Sequence, residues 1–411
     1  MTNTLEPTRA TSFTEQQGLD TDPIPISGYI DPDYYEQEIG RIWKRVWLMV
    51  GWAHEIPNPG DYFVKPLPFA NTSLIIVRGR DGQIRAFHNV CAHRCAEVVW
   101  DEKGSARRLQ CGYHGWTYGL DGALVAVPDE ENFFDLDRSK YGLTPVALET
   151  WEGFIFINLA PEPPQTLREY LGDYYDGYHG YPFDEMTTVY RYRGVVNANW
   201  KVVRDGFLET YHFPVLHRYS FADAFSNKAE NPHCHNIHYG TNGMHTIASA
   251  YLNPEYTPTP MELLTFSLSQ GVDSIMVKSE QQDLPPGINP SRHPLWSADN
   301  DTIFPAANIN LFANFYLWHT YWPLGPDKCL LETQQLMRPP ANATERWMHE
   351  VSNSVFQFGL LEDFTAQERS QRVLASGAKT HMVLQDHEYP VRHAHHWGQQ
   401  LAGPYPEVSA R

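Results

Sequence analysis

The sequence contains little cysteine, no long apolar run and no block of basic residues. Five cysteines in 411 residues do not suggest a disulfide framework. No stretch reaches the roughly 18 consecutive apolar residues of a transmembrane helix, and the N-terminus lacks a basic region followed by an apolar one. A formal net charge of −18 without clustered Lys or Arg argues against nucleic acid and anionic membranes as partners. We therefore expect a cytoplasmic protein.

A dinucleotide-binding fingerprint is also missing. The segment Gly79-Arg80-Asp81-Gly82 lacks the G-x-G-x-x-G spacing, and it lies in a predicted hairpin rather than before a helix. Any reducing power must therefore reach the chain from outside.

The chain is long and rich in aromatic residues. At 411 residues it exceeds one typical core, which predicts two domains. Aromatic residues make up 13% of the chain, which argues against disorder and fits large cores or apolar pockets. The apolar patterns predict an amphipathic helix over 31–47, strands at 62–64, 73–77 and 84–87, and a long helix over 347–374.

Two short motifs pair one cysteine with one histidine, Cys91-x-His93 and Cys111-x-x-His114. Each is short enough to place both side chains on one tight loop. A structural zinc site is one interpretation, although such sites usually group cysteines in Cys-x2-4-Cys pairs and histidines separately. The other is a Rieske [2Fe–2S] centre, in which two histidines hold one iron and two cysteines the other. One Cys and one His from each loop is the Rieske arrangement.

A second set of polar residues lies between Asn199 and His217. Asp205, Glu209 and His212 recur at i, i+4 and i+7, so a helix here would place them on one stripe. Pro214 predicts that this helix ends near His212, and His217 would return from the next turn of chain. Two converging imidazoles plus a remote carboxylate are the ligand set of a non-haem Fe(II) site. The alternative is two ordinary histidines at a helix end.

Together these motifs resemble the catalytic α subunits of Rieske-type ring-hydroxylating oxygenases. The resemblance covers most of the chain and rests on the following segments in order: Pro59-Gly60-Asp61-Tyr62, Cys91-x-His93-Arg94, Cys111-x-x-His114-Gly115-Trp116, Gly153-Phe154-Ile155-Phe156-Ile157-Asn158, Asn199-Trp200-Lys201, His212-x4-His217 and Glu362-Asp363-x4-Glu368-x2-Gln371.

The resemblance implies an α+β fold in which a Rieske β-domain comes before a catalytic domain built on a large antiparallel sheet flanked by helices. We expect an N-terminal segment and helix over 1–44 that packs on the catalytic domain, a Rieske [2Fe–2S] domain over 45–165, and a catalytic mononuclear iron domain over 166–411.

The resemblance also implies the metal ligands. Cys91, His93, Cys111 and His114 would hold the [2Fe–2S] cluster, and His212, His217 and Asp363 would hold a mononuclear Fe(II). By itself Asp363 would look like a solvated charge on a helix. Its spacing to Glu368 and Gln371 matches the family, so the resemblance implies that it is the third iron ligand.

Other catalytic roles follow from the same resemblance. Glu209 would bridge cluster ligand His114 of one subunit and iron ligand His212 of the next, in a homotrimeric ring. Asp205, on the same predicted stripe, is a second catalytic candidate. The residues expected to line the substrate cavity are Phe207, Leu208, Asn308 and Phe315.

Two positions depart from the family pattern. Cys95 stands where relatives usually have Gly after the His-Arg of the first cluster loop, and we expect that it is not a ligand. Glu209 stands where most relatives have Asp, as in a subset that includes carnitine and glycine-betaine oxygenases. This glutamate points towards related chemistry.

The function implied is that of a terminal oxygenase with O2 as co-substrate. Electrons would come from NAD(P)H through a flavin reductase, a ferredoxin or both. The expected reaction is hydroxylation of an aromatic or largely apolar compound, with N- or O-demethylation or hydroxylation of a quaternary amine as the alternative. A more distant alternative is an electron carrier that uses the Rieske cluster without oxygenase activity. An aromatic cage at the iron would favour a cation, and a Phe-lined slot would favour an arene.

Overall fold

Two seven-stranded antiparallel sheets carry the fold. The computed structural model describes residues 12–257, 284–313 and 315–407. The first sheet, here called the Rieske sheet, has the strand order Leu48–Trp52, Phe154–Asn158, Pro145–Trp151, Ile84–His88, Thr72–Arg78, Asp61–Leu67 and Lys103–Ser105. Beside it lies a three-stranded sheet of Leu109–Gln110, Thr117–Tyr118 and Leu124–Ala126.

The second sheet, here called the catalytic sheet, is formed by the later part of the chain. Its strand order is Thr188–Val196, Lys328–Met337, Phe315–Gly325, Ala307–Leu311, Trp296–Ile303, His245–Tyr251 and His238–Asn242. From Lys328–Met337 to His245–Tyr251, each strand pairs with the strand that comes directly before it in the sequence. Most of the sheet is therefore a meander. Its five inner strands are buried over most of their length, as expected where a sheet is covered on both faces, whereas the two edge strands are mostly half-buried or exposed.

Helices flank the catalytic sheet. They are Phe13–Gln16, Ser27–Ile30, Pro32–Glu38, Leu167–Leu171, Tyr174–Gly177, Trp200–Gly206, Phe213–Leu216, Ala222–Phe225, Ala343–Leu374 and Tyr389–Ala402, with a π-helical turn at Ile39–Trp43. A two-stranded pair joins Ile24–Pro25 to His381–Met382. None of the helices in the described ranges is long and apolar enough to cross a bilayer.

The helix near the N-terminus begins at Pro32, one residue after the predicted start. The Asp31 side chain accepts a hydrogen bond from Tyr34 N (2.8 Å), and Pro32 suits the first turn because it needs no amide hydrogen there. The helix continues into the π-helical turn, which buries Trp43 against Trp200 with ring centroids 5.1 Å apart. This contact anchors the N-terminal region beside the catalytic site.

The long helix, Ala343–Leu374, packs against the helix Trp200–Gly206 and the edge strand Thr188–Val196 of the catalytic sheet. Asn342 caps it by accepting a hydrogen bond from Glu345 N (3.0 Å). Its buried positions recur every three or four residues and include Leu360, Asp363 and Gln367. The helix therefore turns Asp363 inward on the same face that packs on the core.

Candidate functional site

The two cysteine–histidine loops have the same backbone design. Cys95 N donates to Cys91 O, and Gly115 N donates to Cys111 O, each over 3.0 Å. The backbone N–H groups of Cys91 and Cys111 also donate across their loops, to Ala96 O and Trp116 O respectively, over 2.8 Å. The sequence thus folds into two matched turns that present their ligands side by side.

The two cysteines of these loops are more deeply buried than the two histidines. Cys91 and Cys111 are each only 2% exposed and both are free thiols, whereas His93 is half-buried and His114 is exposed. The two imidazole centroids lie 4.6 Å apart. Burial raises the pKa of the Cys91 thiol, and the Tyr118 hydroxyl, 3.2 Å from Sγ, opposes that shift.

This arrangement fits a Rieske cluster. His93 stacks on Trp116 (5.1 Å, 8°), and its buried Nδ1 has no hydrogen-bond partner among the described residues. Two buried thiols and two more exposed imidazoles would suit a cluster in which the cysteines hold one iron and the histidines hold the other.

Cys95 adopts the left-handed conformation, with φ +57°. Gly115, at the equivalent position of the second loop, has φ +75°. A Cβ is unfavourable in this region, which explains why glycine is expected here. Unlike the two ligand candidates, Cys95 is exposed.

His212, His217 and Asp363 converge on one point. Asp363 Oδ1 lies 3.5 Å from His212 Nε2 and 3.2 Å from His217 Nε2, and all three candidate ligand atoms lie within 4.8 Å of one another. It is the one such group of three or more His, Cys, Asp or Glu in the described ranges. Two imidazoles and one carboxylate fit Fe(II) with open positions.

The helix that precedes these histidines is shorter than predicted. It ends at Gly206, and a separate helix, Phe213–Leu216, begins directly after His212. Pro214 therefore lies in the first turn of the second helix, where proline is tolerated, and does not end the first. Because the chain turns after Gly206, Asp205 does not share a helical stripe with Glu209 and His212.

The structure places Asp205 outside the group of three candidate metal ligands, and its catalytic role stays a prediction. Its carboxylate accepts from Tyr29 (2.5 Å), His395 (2.8 Å) and Arg204 (2.7 Å). Burial alone would raise the pKa of Asp205, but Arg204 and His395 hold it below its usual value. Asp205 thus ties the N-terminal region and the last helix to the catalytic core.

Each imidazole of the triad is held by its own carboxylate. Glu209 Oε1 lies 2.5 Å from His212 Nδ1, and Glu362 Oε2 lies 2.8 Å from His217 Nδ1. Ser220 Oγ also donates to Glu362 Oε2 (2.8 Å). Burial alone would lower the pKa of His212, but the Glu209 carboxylate raises it above its usual value.

Sequence reasoning missed the role of Glu362. It is adjacent to Asp363 and part of the recognised motif, yet consecutive helical residues normally face different directions. The available signal was a second carboxylate beside the predicted ligand.

A cavity of about 130 Å³ opens beside the triad. Six phenylalanines line it: Phe207, Phe213, Phe221, Phe225, Phe312 and Phe356. Its polar lining includes Asn300, Asn310 and His319, and no Lys or Arg is among the described lining residues. Such a mostly apolar site with a few polar groups is typical of small-molecule sites.

One of the four predicted lining residues, Phe207, lies on this cavity. The other three, Leu208, Asn308 and Phe315, do not line it and are at most 1% exposed. Leu208 packs in the main core and Phe315 in a smaller cluster, while Asn308 is bonded behind Asn300. Asn308 and Asn310 lie two residues apart on one strand and therefore on the same side of the sheet, but the lining position is Asn310.

Comparison with known families identifies the class. Residues 183–403 match the ring hydroxylating alpha subunit catalytic domain, and residues 46–151 match the Rieske [2Fe-2S] domain. The chain therefore belongs to the family of ring-hydroxylating oxygenase α subunits with a Rieske domain. The predicted family and the predicted α+β architecture are confirmed, and the Rieske match favours an iron–sulfur cluster over structural zinc.

Similar curated proteins include monooxygenases named for glycine betaine, choline and carnitine. The chain is 36% identical over 198 residues to a glycine betaine monooxygenase oxygenase subunit of Chromohalobacter salexigens, covering 48% of this chain and 43% of that protein. It is 32% identical over 200 residues to the chloroplastic choline monooxygenase of Spinacia oleracea, covering 47% and 45%. The match thus spans about half the length of these relatives.

Solved structures share the whole architecture. Naphthalene 1,2-dioxygenase from Rhodococcus sp. bound to indole matches with a TM-score of 0.74 and 25% identity, over 93% of this chain and 94% of that chain. A quaternary ammonium Rieske monooxygenase matches with a TM-score of 0.71 and 21% identity, over 92% and 95%. The fold is therefore shared by relatives with different substrates.

Proposed function

We propose that this chain is the terminal oxygenase component of a Rieske system. The cluster is held by Cys91, His93, Cys111 and His114, and the mononuclear Fe(II) by His212, His217 and Asp363. The domain limits 1–44, 45–165 and 166–411 remain the proposed division of the chain.

One observation carries this proposal: the triad converges, and each of its imidazoles has a dedicated carboxylate partner. Carboxylates at Nδ1 fix the tautomer and leave the Nε2 lone pair for a metal. An electron carrier would need only the Rieske domain and would give no reason for this second set of ligands.

The residues of the chain have distinct parts in the reaction. When bound, the cluster supplies single electrons and the iron activates O2. Glu209 and Glu362 orient the two imidazoles, Asp363 adds the single carboxylate, and the phenylalanine walls hold the target carbon close to the triad. The same walls exclude water from the site.

Electron transfer is proposed to cross between subunits of a homotrimer. His114 is exposed on the cluster side, and Glu209 keeps part of its side chain accessible beside His212. Glu209 would join His212 to His114 of a neighbouring copy. Because the chain shows no dinucleotide fingerprint, NAD(P)H would act through a flavin reductase, a ferredoxin or both.

The proposed substrate is a quaternary amine, oxidised at or beside an N-methyl group. The names of the similar curated oxygenases support this choice over the aromatic substrate expected first. Phenylalanine faces around the cavity are compatible with a cation, since ring faces attract positive charge.

An arene is the second candidate. The phenylalanine lining favours it, because no tyrosine or tryptophan is among the described lining residues and the carboxylates there, Glu209 and Asp363, are assigned to the metal site. Product analysis with a reconstituted reductase across quaternary amines and arenes separates the two.

Metal counting tests the oxygenase itself. We expect three irons per chain, two with acid-labile sulfide and one removable by mutation of Asp363 to Ala. Two irons per chain in the unmutated protein would support a carrier, and a colourless zinc protein would contradict both.

A further inference from the structure

The cavity beside the triad has one polar wall. Asn300, Asn310 and His319 come from three neighbouring strands of the catalytic sheet. The register places Asn300 opposite Asn310, and the two-residue repeat turns Asn308 to the same face, opposite His319. A slip of one residue would turn the set away, so the sheet fixes this wall firmly.

These side chains form one hydrogen-bonded chain. Asn308 and Asn310 each donate from Nδ2 to Asn300 Oδ1 over 3.0 Å. Asn310 Oδ1 must then accept from His319 Nε2 (2.8 Å), and His319 Nδ1 accepts from Thr333 Oγ1 (2.9 Å). The imidazole is thus in a neutral tautomer, and burial lowers the pKa of His319 to about 3.

The bonds already made leave the wall with spare donors. Asn300 Oδ1 accepts two bonds, which uses both its lone pairs. Asn300 Nδ2 donates to Phe207 O (2.5 Å) and Asn310 Nδ2 to Asn300, so each amide retains one N–H. The acceptor capacity that remains is one lone pair on Asn310 Oδ1, so the wall has more free donors than free acceptors. The wall is therefore better suited to a ligand that accepts hydrogen bonds.

The charges around the cavity restrict what that acceptor can be. The described lining contains no Lys or Arg, and it already includes the carboxylates of Glu209 and Asp363. The carboxylates of Glu209, Glu362 and Asp363 offset the charge of a bound Fe(II). A substrate carboxylate at this wall would therefore lose its hydration without gaining a cationic side chain, and two amide N–H groups replace only part of that loss.

We propose that the wall of Asn300, Asn310 and His319 binds an uncharged oxygen of the substrate, such as a hydroxyl, ether or carbonyl, and selects against carboxylates. The phenylalanines then hold the remainder of the molecule with its reactive carbon at the triad. This specificity rests on the proposed function, because it takes the triad as the reaction centre. Among quaternary amines it favours an alcohol over a betaine.

Two series of matched compounds test the wall by calorimetry with the holoenzyme. One series is choline, propyltrimethylammonium and glycine betaine; the other is benzyl alcohol, ethylbenzene and benzoate. In the series that binds, we expect the hydroxyl compound to bind at least about tenfold more tightly than its methyl isostere and than the carboxylate. A ratio near one, tighter binding of the carboxylate, or no binding of either alcohol would overturn the proposal.

Variants locate the effect at the wall. In Asn310→Leu, and in the less crowded Asn310→Ala, the alcohol-to-isostere ratio should fall to near one. Val355→Leu is the control, because it changes a lining residue that lies on the long helix and not on the strands of the wall. It should alter both affinities but keep their ratio. Cluster absorbance and iron content show that each variant is assembled.

An unchanged ratio in both assembled Asn310 variants would refute the role of the wall. Failure of the oxygenase function would look different: the unmutated protein would lack the third iron or form no oxidised product, whatever its binding ratios.

Discussion

Removing the Glu362 carboxylate should weaken iron binding without touching the cluster. Glu362 accepts from His217 Nδ1 and from Ser220 Oγ, both over 2.8 Å, and His217 is only 1% exposed. Loss of such a partner typically costs 10- to 100-fold in metal affinity, or about 1.4–2.7 kcal/mol. The Glu362→Gln side chain can still accept one hydrogen bond. We therefore expect the affinity for Fe(II) to fall about tenfold in Glu362→Gln and nearer 100-fold in Glu362→Ala.

Titration of Fe(II) into iron-depleted protein that retains its cluster measures this affinity. Glu350→Gln is the matched control, because Glu350 lies on the same helix and pairs with Arg346 at the surface (2.7 Å). Cluster absorbance should be the same in all variants. Iron affinity in Glu362→Ala within twofold of the unmutated protein would refute the idea that this carboxylate holds His217 for the metal.

Three further predictions concern other parts of the chain. Glu209→Gln should leave cluster and iron bound yet slow turnover strongly, because the proposed electron path is damaged; near-normal product formation would defeat the bridge. Cys95→Gly should keep the cluster and raise stability by up to about 1 kcal/mol by removing left-handed strain, seen as a higher thermal midpoint; loss of cluster absorbance would make Cys95 a ligand. The last concerns acid stability. His245 bonds to Tyr170 O and accepts from Phe304 N, and burial lowers its pKa to about 4, below the unfolded value of about 6.5. The contribution of this neutral imidazole to the free energy of unfolding is therefore complete above about pH 6.5. It declines on acidification and is lower by about 2 kcal/mol at pH 5. His245→Gln should be less stable at pH 7.5, yet its thermal midpoint should fall less between pH 7.5 and 5; equal falls would contradict the assignment.

The sequence predicted the elements of this fold whose patterns are local. The strands at 62–64, 73–77 and 84–87 lie within Asp61–Leu67, Thr72–Arg78 and Ile84–His88, and the Asp81-Gly82 pair forms the expected hairpin. The long helix begins four residues before its predicted start, because Asn342 caps it ahead of the first large apolar residue. Pairing between distant strands came only from the family resemblance.

The metal site shows where local periodicity fails. Spacing alone placed Asp205 with Glu209 and His212, yet the chain turns at Gly206 and separates them. Asp363 could be recognised only through a motif, since one carboxylate on a long polar helix has no distinguishing local pattern. Glu362 was missed because its role depends on where His217 lies in space.

Which residues form the polar wall of the cavity depends on the register between neighbouring strands. Asn308 and Asn310 have the same chemistry and the same side of the strand, so sequence cannot tell which one reaches the cavity. The register decides: Asn308 lies opposite His319, where Tyr321 and Asn300 enclose it, and Asn310 lies opposite Asn300 at the open end. The residue that meets the substrate is thus selected by strand pairing. A change of this pairing, or of the amide on it, should therefore alter which ligand atom the wall accepts while leaving the metal ligands in place.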